Sequence, residues 1–393
     1  MKCIVLIVFL PFFVMAHSQM NNPQSKSGDL PVVDFSKNHP QKKDIILQDI
    51  AVIEYIRLET TDNVILSGVR SMSDVSKIAS ISDNYIVIYE QIRGDIFVFN
   101  RNGKIVSHFN HRGQSGREYS LITNSGVIFD EQNEEIYVCS KLVQVYSLNG
   151  QHKRTLRIDS NSSVKICNFD DETLLVYEET MTPGYEKYTK KNPYRLVSKK
   201  DGSVVTVLNI HFEKRYSNSF QVFENNKLIT RIIPFPNSMY FGQNFVIADI
   251  SSDTLFLLSK NRELTPILVR KPSIHASEQR MAWNHFLTTD QYIFLGLIPI
   301  FDTGKDGGRI PVFMYEFETR ETSAVSIVNA ENAMKPWSPG PSPAIAKNMT
   351  AELLDVHPLK DTYKTKKLKG DLEKLVATLD EDDNPIVMIV KFK

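Results

Sequence analysis

Between Asn84 and Asn110 the chain reads NYIVIYEQIRGDIFVFNRNGKIVSHFN, three runs of β-branched and aromatic residues parted by Arg93-Gly94-Asp95 and by Asn102-Gly103. An Asn-Gly pair between two such runs signals a hairpin, because both central positions of a tight turn favour positive φ. The unit is therefore a meander of short strands. It recurs at Glu135 (EIYVCSKLVQVYSLNGQHKRTLRI, turning at Asn149-Gly150) and at Thr173 (TLLVYEE, then YRLVSKKDGSVVTVLNI, turning at Asp201-Gly202). Two copies with weaker turns follow, FVIADISSDTLFLLSKNRELTPILV from Phe245 and YIFLGLIPI with PVFMYEFETRETSAVSIV from Tyr292. The turns at Asn102, Asn149, Asp201, Asn261 and Thr319 stand 47, 52, 60 and 58 residues apart. A repeat of that size made only of strands predicts a β-propeller, whose four-stranded blades take about 40 to 50 residues each. The 350 residues from Asp44 to Lys393 then hold six blades.

The sixth blade has to come from the chain ends. IAVIEYIRLET near Ile50 and PIVMIVKFK at the C-terminus are strand-like, and neither has a hairpin of its own. Pairing Pro385–Lys393 with Ile50–Leu58 closes the ring and removes two open edges. One segment has a different period: Leu372, Leu375, Val376 and Leu379 fall on a single helical face, which predicts an amphipathic helix over Lys369–Leu379 packed on the last blade. Residues 19–43, rich in Asn, Ser, Pro, Gln and Lys, read as a flexible leader that buries almost nothing.

Ahead of the leader, Met1-Lys2 precede an apolar run from Ile4 to Val14, with Ala16 and Ser18 beyond it. That is a signal-peptide pattern with cleavage before Gln19. The run has 11 residues, against the roughly 20 that a bilayer-spanning helix needs. Cys3 lies before the apolar run, where it cannot be lipidated after cleavage, so the expectation is an exported, unanchored chain in the periplasm or outside the cell. Lys plus Arg equals Asp plus Glu at 46 each, which removes the basic field that nucleic acid or an anionic membrane would require. Cys139 and Cys167 sit in strand-like runs and read as buried thiols, or as a disulfide that an oxidising compartment would permit. No His or Cys spacing accompanies them to suggest a zinc site.

The stretch IFVFNRNGKIVSHFNHRGQSGREYS resembles the NHL-type blade: an aromatic-Asx-x-x-Gly turn, a Lys, an apolar strand, and a link ending Gly-x-x-Glu-aromatic. From about Asp44 to Lys393 the chain resembles a bacterial family of secreted six-bladed β-propellers, through EYIRLET, the NHL-like blade, ADISSDTLFLL and the closing LKGDLEKLVATLDEDDNPIVMIVKFK. The resemblance implies the fold and carries no shared catalytic motif. The link Arg112-Gly113-Gln114-Ser115-Gly116-Arg117-Glu118-Tyr119 departs from the family's Arg-Gly-Gln-Gly-Pro-Gly-Glu-Tyr at Ser115, Gly116 and Arg117.

The candidate binding residues are Arg93, Arg112, Arg117 and Glu118, a charged rim in a loop between adjacent blades, where planar guanidinium groups suit carboxylate or phosphate. The opposing reading is that Glu118 and an Arg hold the loop itself. Tyr240, Trp283 and Tyr185 are loop-like aromatics of the kind that line a peptide or glycan face, or fill the space between blades. His108 and His111 form an HxxH that diverges on a strand and reads as structural. Asp249 and Asp253 in ADISSD supply too few oxygens for calcium alone. The Lys run from Lys360 to Lys374, broken by Asp361, Asp371 and Glu373, reads as a solvated helix face. No nucleotide-binding glycine loop or nucleophile elbow occurs, since Gly307-Gly308 lies between strands. The expectation is a monomeric, non-enzymatic propeller without cofactor that binds a protein, peptide or glycan through one face. Its rival is a hydrolase or lactonase holding calcium or another divalent ion in the central channel.

Overall fold

The computed structural model describes residues 30–35, 42–68, 75–123, 125–159, 164–178, 192–216, 219–224, 227–232, 238–241, 244–276, 281–299, 311–332, 336–339 and 348–393, without the side chains of 219–241, 283, 298 and 299. Small sheets ring a common axis as six blades. Blade 1 comprises Ser76–Ile81, Tyr85–Glu90, Ile96–Asn100 and Ile105–Phe109, each strand antiparallel to the next. Blade 2 comprises Val127–Asp130, Glu135–Cys139, Val143–Ser147 and His152–Leu156, and blade 3 Val164–Asn168, Thr173–Glu178, Tyr194–Ser198 and Val204–Val207. After a separate hairpin, Ser219–Glu224 with Lys227–Ile232, blade 4 is formed by Ser238–Phe241, Asn244–Ile247, Thr254–Leu258 and Leu264–Lys271. Blade 5 takes Met281–Thr288, Tyr292–Pro299, Val312–Glu316 and Thr322–Val328.

The strands are near-continuous apolar runs because both faces of every blade are covered. In Tyr85–Glu90, Ile86 and Ile88 pack toward blade 6 while Val87 and Tyr89 pack toward blade 2. Period-2 alternation thus divides one strand between two cores. Each pair of neighbouring blades shares such a cluster, from Tyr137, Val176 and Val197 between blades 2 and 3 to Phe294, Met314 and Val390 between blades 5 and 6.

Blade 6 closes the ring. Met349–Leu354 pairs with Ile386–Phe392, which pairs antiparallel with Ala51–Arg57, Ile386 opposite Arg57 and Phe392 opposite Ala51. Asn384 fastens the junction. It is 2 % exposed, its Nδ2 donates to the carbonyls of Glu59 and Val64 at 2.8 Å each, and its Oδ1 accepts the Leu66 N–H at 2.8 Å. The amphipathic helix spans Gly370–Ala377 and buries Leu372 and Val376 against Ile386. A second helix, Val356–Lys364, precedes it and buries Val356 and Leu359 in the same cluster.

The leader expected over residues 19–43 does not hold at its C-terminal end. Val32–Asp34 lies parallel to the outer strand of blade 4 and Lys43–Ile46 parallel to the outer strand of blade 5, each as a fifth strand. Val33 is completely buried, and Phe35 meets Phe313 edge-on at 5.4 Å. Flanking polar residues hid two short apolar patches that find a partner only in the closed ring.

The Asn-Gly turns also differ from expectation. Gly103 alone takes positive φ, 75°, and donates to the Asn100 carbonyl while Asn100 donates to that of Lys104. This is a longer turn with glycine in the left-handed position and a bulge at Val98/Phe99. Blades 4 and 5 make the same turn with Arg262 (φ 65°) and Arg320 (φ 58°) in the glycine position, which is why their turn signal was weak.

Candidate functional site

Antiparallel meanders place the turn between strands one and two, and that between strands three and four, at the same end of a blade. At that end of blades 2 and 3 the turns are strongly charged, and an open cleft of about 580 Å³ lies between them. Its walls include Asn133 and Glu135 from blade 2 with Arg154 from the outer strand, and Asp171, Glu172, Lys199, Lys200 and Val205 from blade 3.

Glu135 opens the second strand of blade 2, opposite Asp130. Its carboxylate accepts from Arg154 Nη1 and Nη2 at 2.6 and 2.7 Å, from Tyr137 Oη at 2.7 Å and from Lys153 Nζ at 2.6 Å. Burial alone would raise this carboxyl; the hydrogen bonds from Arg154, Lys153 and Tyr137 outweigh it and hold the group at about 2. Arg154 Nε donates to the Lys199 carbonyl at 2.9 Å, and the buried Lys199 ammonium returns to Asp130. Asn133 Nδ2 bridges Asp130 Oδ2 at 2.7 Å and the Asp171 carbonyl at 3.1 Å. The cations of Arg154 and Lys199 stand 5.8 and 6.0 Å from the centroid of the Tyr137 ring.

The floor is thus a clasp whose charges are matched, and the rim carries the groups outside that clasp. Asp171 Oδ2 accepts from Gln132 at 2.9 Å, and Asp171 and Glu172 make no ion pair among the described residues. Lys200 is exposed. A rim with hydrogen-bonding groups of both signs over a rigid floor suits a polar ligand held by directed contacts.

The charged residues singled out from sequence lie elsewhere, between blades 1 and 2 at the opposite end. The structure brings Arg93, Arg112 and Glu118 into one region and spends them locally. Arg93 Nε faces Glu90 at 3.1 Å and Asp95 at 3.2 Å. Arg112 donates to the carbonyls of Ser120 and Ile92. Glu118 accepts the Ser115 N–H at 2.8 Å, which holds its carboxyl below the ordinary range. The side chain of Arg117 is exposed, while its carbonyl accepts from Tyr146 Oη at 2.7 Å. Tyr240 and Trp283 lie on the first strands of blades 4 and 5 with side chains outside the description, and Tyr185 and Gly307-Gly308 fall outside the described residues.

His108 binds Asp95 at 2.9 Å and stacks on Phe97, whereas His111 binds the Gly150 carbonyl at 2.7 Å, so the two imidazoles do not converge. Asp249 accepts from Ser251 N–H and Tyr194 Oη, and Asp253 from the Ile274 N–H. Among the described residues no three His, Cys, Asp or Glu side chains stand together as metal ligands. Both Cys139 and Cys167 are free thiols. No helix among the described residues is long and apolar enough to cross a membrane.

The cleft escaped sequence reading because its charges sit in turn segments, DEQNEE, DDET and SKKDG, which first register as punctuation between strands. Their recurrence at equivalent places in consecutive repeats was the available signal.

A family model described as "Domain of unknown function (DUF4934)" matches residues 30–391. A solved structure described as a "Putative exported protein" of Bacteroides fragilis aligns with a TM-score of 0.62 at 15% identity, covering 93% of this chain and 100% of that one. A member of the DUF4221 family from Bacteroides vulgatus aligns with a TM-score of 0.44 at 10% identity, over 88% of this chain and 99% of that chain. No curated protein matches.

Proposed function

We propose, from the premise that this chain belongs to the family described as Domain of unknown function (DUF4934), that it is an exported binding propeller that recognises a peptide, protein or glycan at one end of the disc. The carrying observation is the cleft between blades 2 and 3, a floor of matched charges under a rim where Asp171, Glu172 and Lys200 make no ion pair among the described residues. Export, to the periplasm or beyond, is supported by the N-terminal Met1–Ser18 pattern and by the likeness to a Bacteroides protein described as a "Putative exported protein". The NHL-like character of blade 1 belongs to the same reading and rests on the Asn102-Gly103 turn and the link folded around Glu118.

The test is an array of peptides and glycans probed with the wild-type protein and with the paired reversal Glu172→Lys/Lys200→Glu. Both residues are exposed turn positions, so the unfolding midpoint should hold. Ligands of the cleft should lose about tenfold or more in affinity, a change of about 1.4 kcal/mol. Ligands that bind both proteins equally would place recognition elsewhere and overturn the assignment.

A further inference from the structure

At the end of the disc opposite the cleft, Arg112 lies in the link that leaves blade 1, and backbone oxygens hold its guanidinium from two sides. Its Nε donates to the Ser120 carbonyl at 3.1 Å and its Nη1 to that of Ile92. The backbone around it is fastened as well. Asn110 Oδ1 accepts the Arg112 N–H at 2.9 Å while Asn110 Nδ2 donates to the Arg93 carbonyl at 3.0 Å, and Tyr119 Oη donates to the Gly94 carbonyl at 2.6 Å. Link and turn are tied into one unit.

Carbonyl oxygens orient a guanidinium without cancelling its charge. Arg112 is exposed and makes no ion pair among the described residues. The carboxylates nearby are engaged elsewhere: Glu90 and Asp95, 0 and 6 % exposed, both face Arg93, Asp95 also holds His108, and Glu118 accepts the Ser115 N–H. Lys141, exposed in the next turn of blade 2, is a second cation with no ion pair among the described residues. Ser140 Oγ meets Ser120 Oγ at 3.4 Å, which brings that turn against the same link.

Two aliphatic side chains flank the fixed cation. Ile92 and Leu121, the first bearing one anchoring carbonyl and the second next to the other, are 47 and 48 % exposed. A single exposed aliphatic residue is ordinary. A pair astride an oriented arginine matches the centre of a protein interface, where apolar neighbours exclude water from the charged contact once a partner covers it. A phosphate or a sugar would leave both aliphatic groups unused. The chain holds 46 cationic and 46 anionic residues, so it lacks the basic field that draws a protein to an anionic membrane.

We infer that this surface docks a segment of a partner protein in which a carboxylate side chain stands between aliphatic residues. The inference goes beyond the cleft, since it concerns the other end of the disc and a ligand group of one charge. The carbonyls take Nε and one hydrogen of Nη1, which leaves the Nη1–Nη2 edge to bind both oxygens of a carboxylate. The link already orients the guanidinium, so binding has little more to order. Lys141 strengthens the attraction during approach.

The probe is a panel of acetylated, amidated nonapeptides with Glu at the centre and Leu at varied spacing on each side, every one matched to its Gln counterpart and titrated into the intact protein. At least one Glu peptide should bind about tenfold or more tighter than its Gln counterpart, and the difference should vanish in Arg112→Gln. Ile92→Asp/Leu121→Asp should weaken the same peptide about tenfold or more with the unfolding midpoint unchanged, both positions being exposed. That second variant keeps the test decisive if Arg112→Gln loosens the link. A panel in which no peptide distinguishes Glu from Gln overturns the inference, as does equal binding by the wild type and Ile92→Asp/Leu121→Asp. Binding lost in Glu172→Lys/Lys200→Glu but kept in Ile92→Asp/Leu121→Asp would seat the peptide in the cleft and overturn this surface alone. Phosphatidylglycerol vesicles held by the wild type and released by Ile92→Asp/Leu121→Asp, with no peptide bound, would make a membrane the occupant and overturn the partner protein.

Discussion

Replacing Asn384 by Ala tests how the ring is held shut. The side chain sits at the start of the closing strand and joins it to residues more than 300 positions earlier, with two N–H groups on the Glu59 and Val64 carbonyls and its oxygen on the Leu66 N–H. Its backbone N–H, bound to Thr60 Oγ1 at 2.9 Å, survives the change. A typical hydrogen bond contributes about 1 kcal/mol net, so three lost together should cost about 3 kcal/mol, and about 5 if the abandoned carbonyls stay dry. Asn384→Asp keeps the acceptor for Leu66 and sets a carboxylate against two carbonyl oxygens, so at neutral pH it should be at least as damaging. Urea unfolding followed by fluorescence and far-UV dichroism reads both, with the slope against urea unchanged. A loss below about 1 kcal/mol for both variants would refute the claim that this junction, and not strand pairing alone, secures the closure.

Acid should weaken the protein through His285, which is 1 % exposed between blades and whose burial lowers its pKa from 6.5 to about 3. Between those values the unfolded chain binds the extra proton, so stability falls as pH drops below 6.5 and stops falling through this group near 3, at most about 1.4 kcal/mol per pH unit. In His285→Gln that part of the slope should vanish; an identical pH profile would refute it. Gly103→Ala should cost several times what Gly116→Ala does, because a Cβ at Gly103 would stand 1.9 Å from the Arg57 carbonyl oxygen at φ 75°, whereas at Gly116 it would meet nothing within 4 Å. Equal unfolding midpoints for the two variants would show that the turn beside Arg57 yields freely.

The blades were legible because burial on both faces forces each strand into an unbroken apolar run, and IFVFN or LLVYE can be little else. The closing strand was legible for the same reason: IVMIVKF feeds two cores at once, Val387 and Ile389 toward blade 1, Met388 and Val390 toward blade 5. The helix at Gly370–Ala377 showed its period plainly. Its neighbour Val356–Lys364 did not, since Pro358 and Lys360 interrupt the eye, although Val356, Leu359 and Tyr363 hold one face. Proline in the first turn costs a helix little, its missing N–H being unpaired there anyway.

The fifth strands and the cleft share a different reason for escaping notice. VVD and KDII are too short to declare a period, and their partners lie more than 200 residues away in sequence. The clasp between Asp130 and Lys199 spans 69 positions, from the first strand of one blade to the last turn of the next. A local pattern reports which face of a strand is apolar, but a repeat of uneven length leaves open which turn will stand beside which. Closing the ring settles that geometry, and it turns charges that look like ordinary turn residues into a buried floor. What remains exposed afterwards includes Val204, Val205 and Val207 beside the carboxylates of Asp171 and Glu172, which make no ion pair among the described residues.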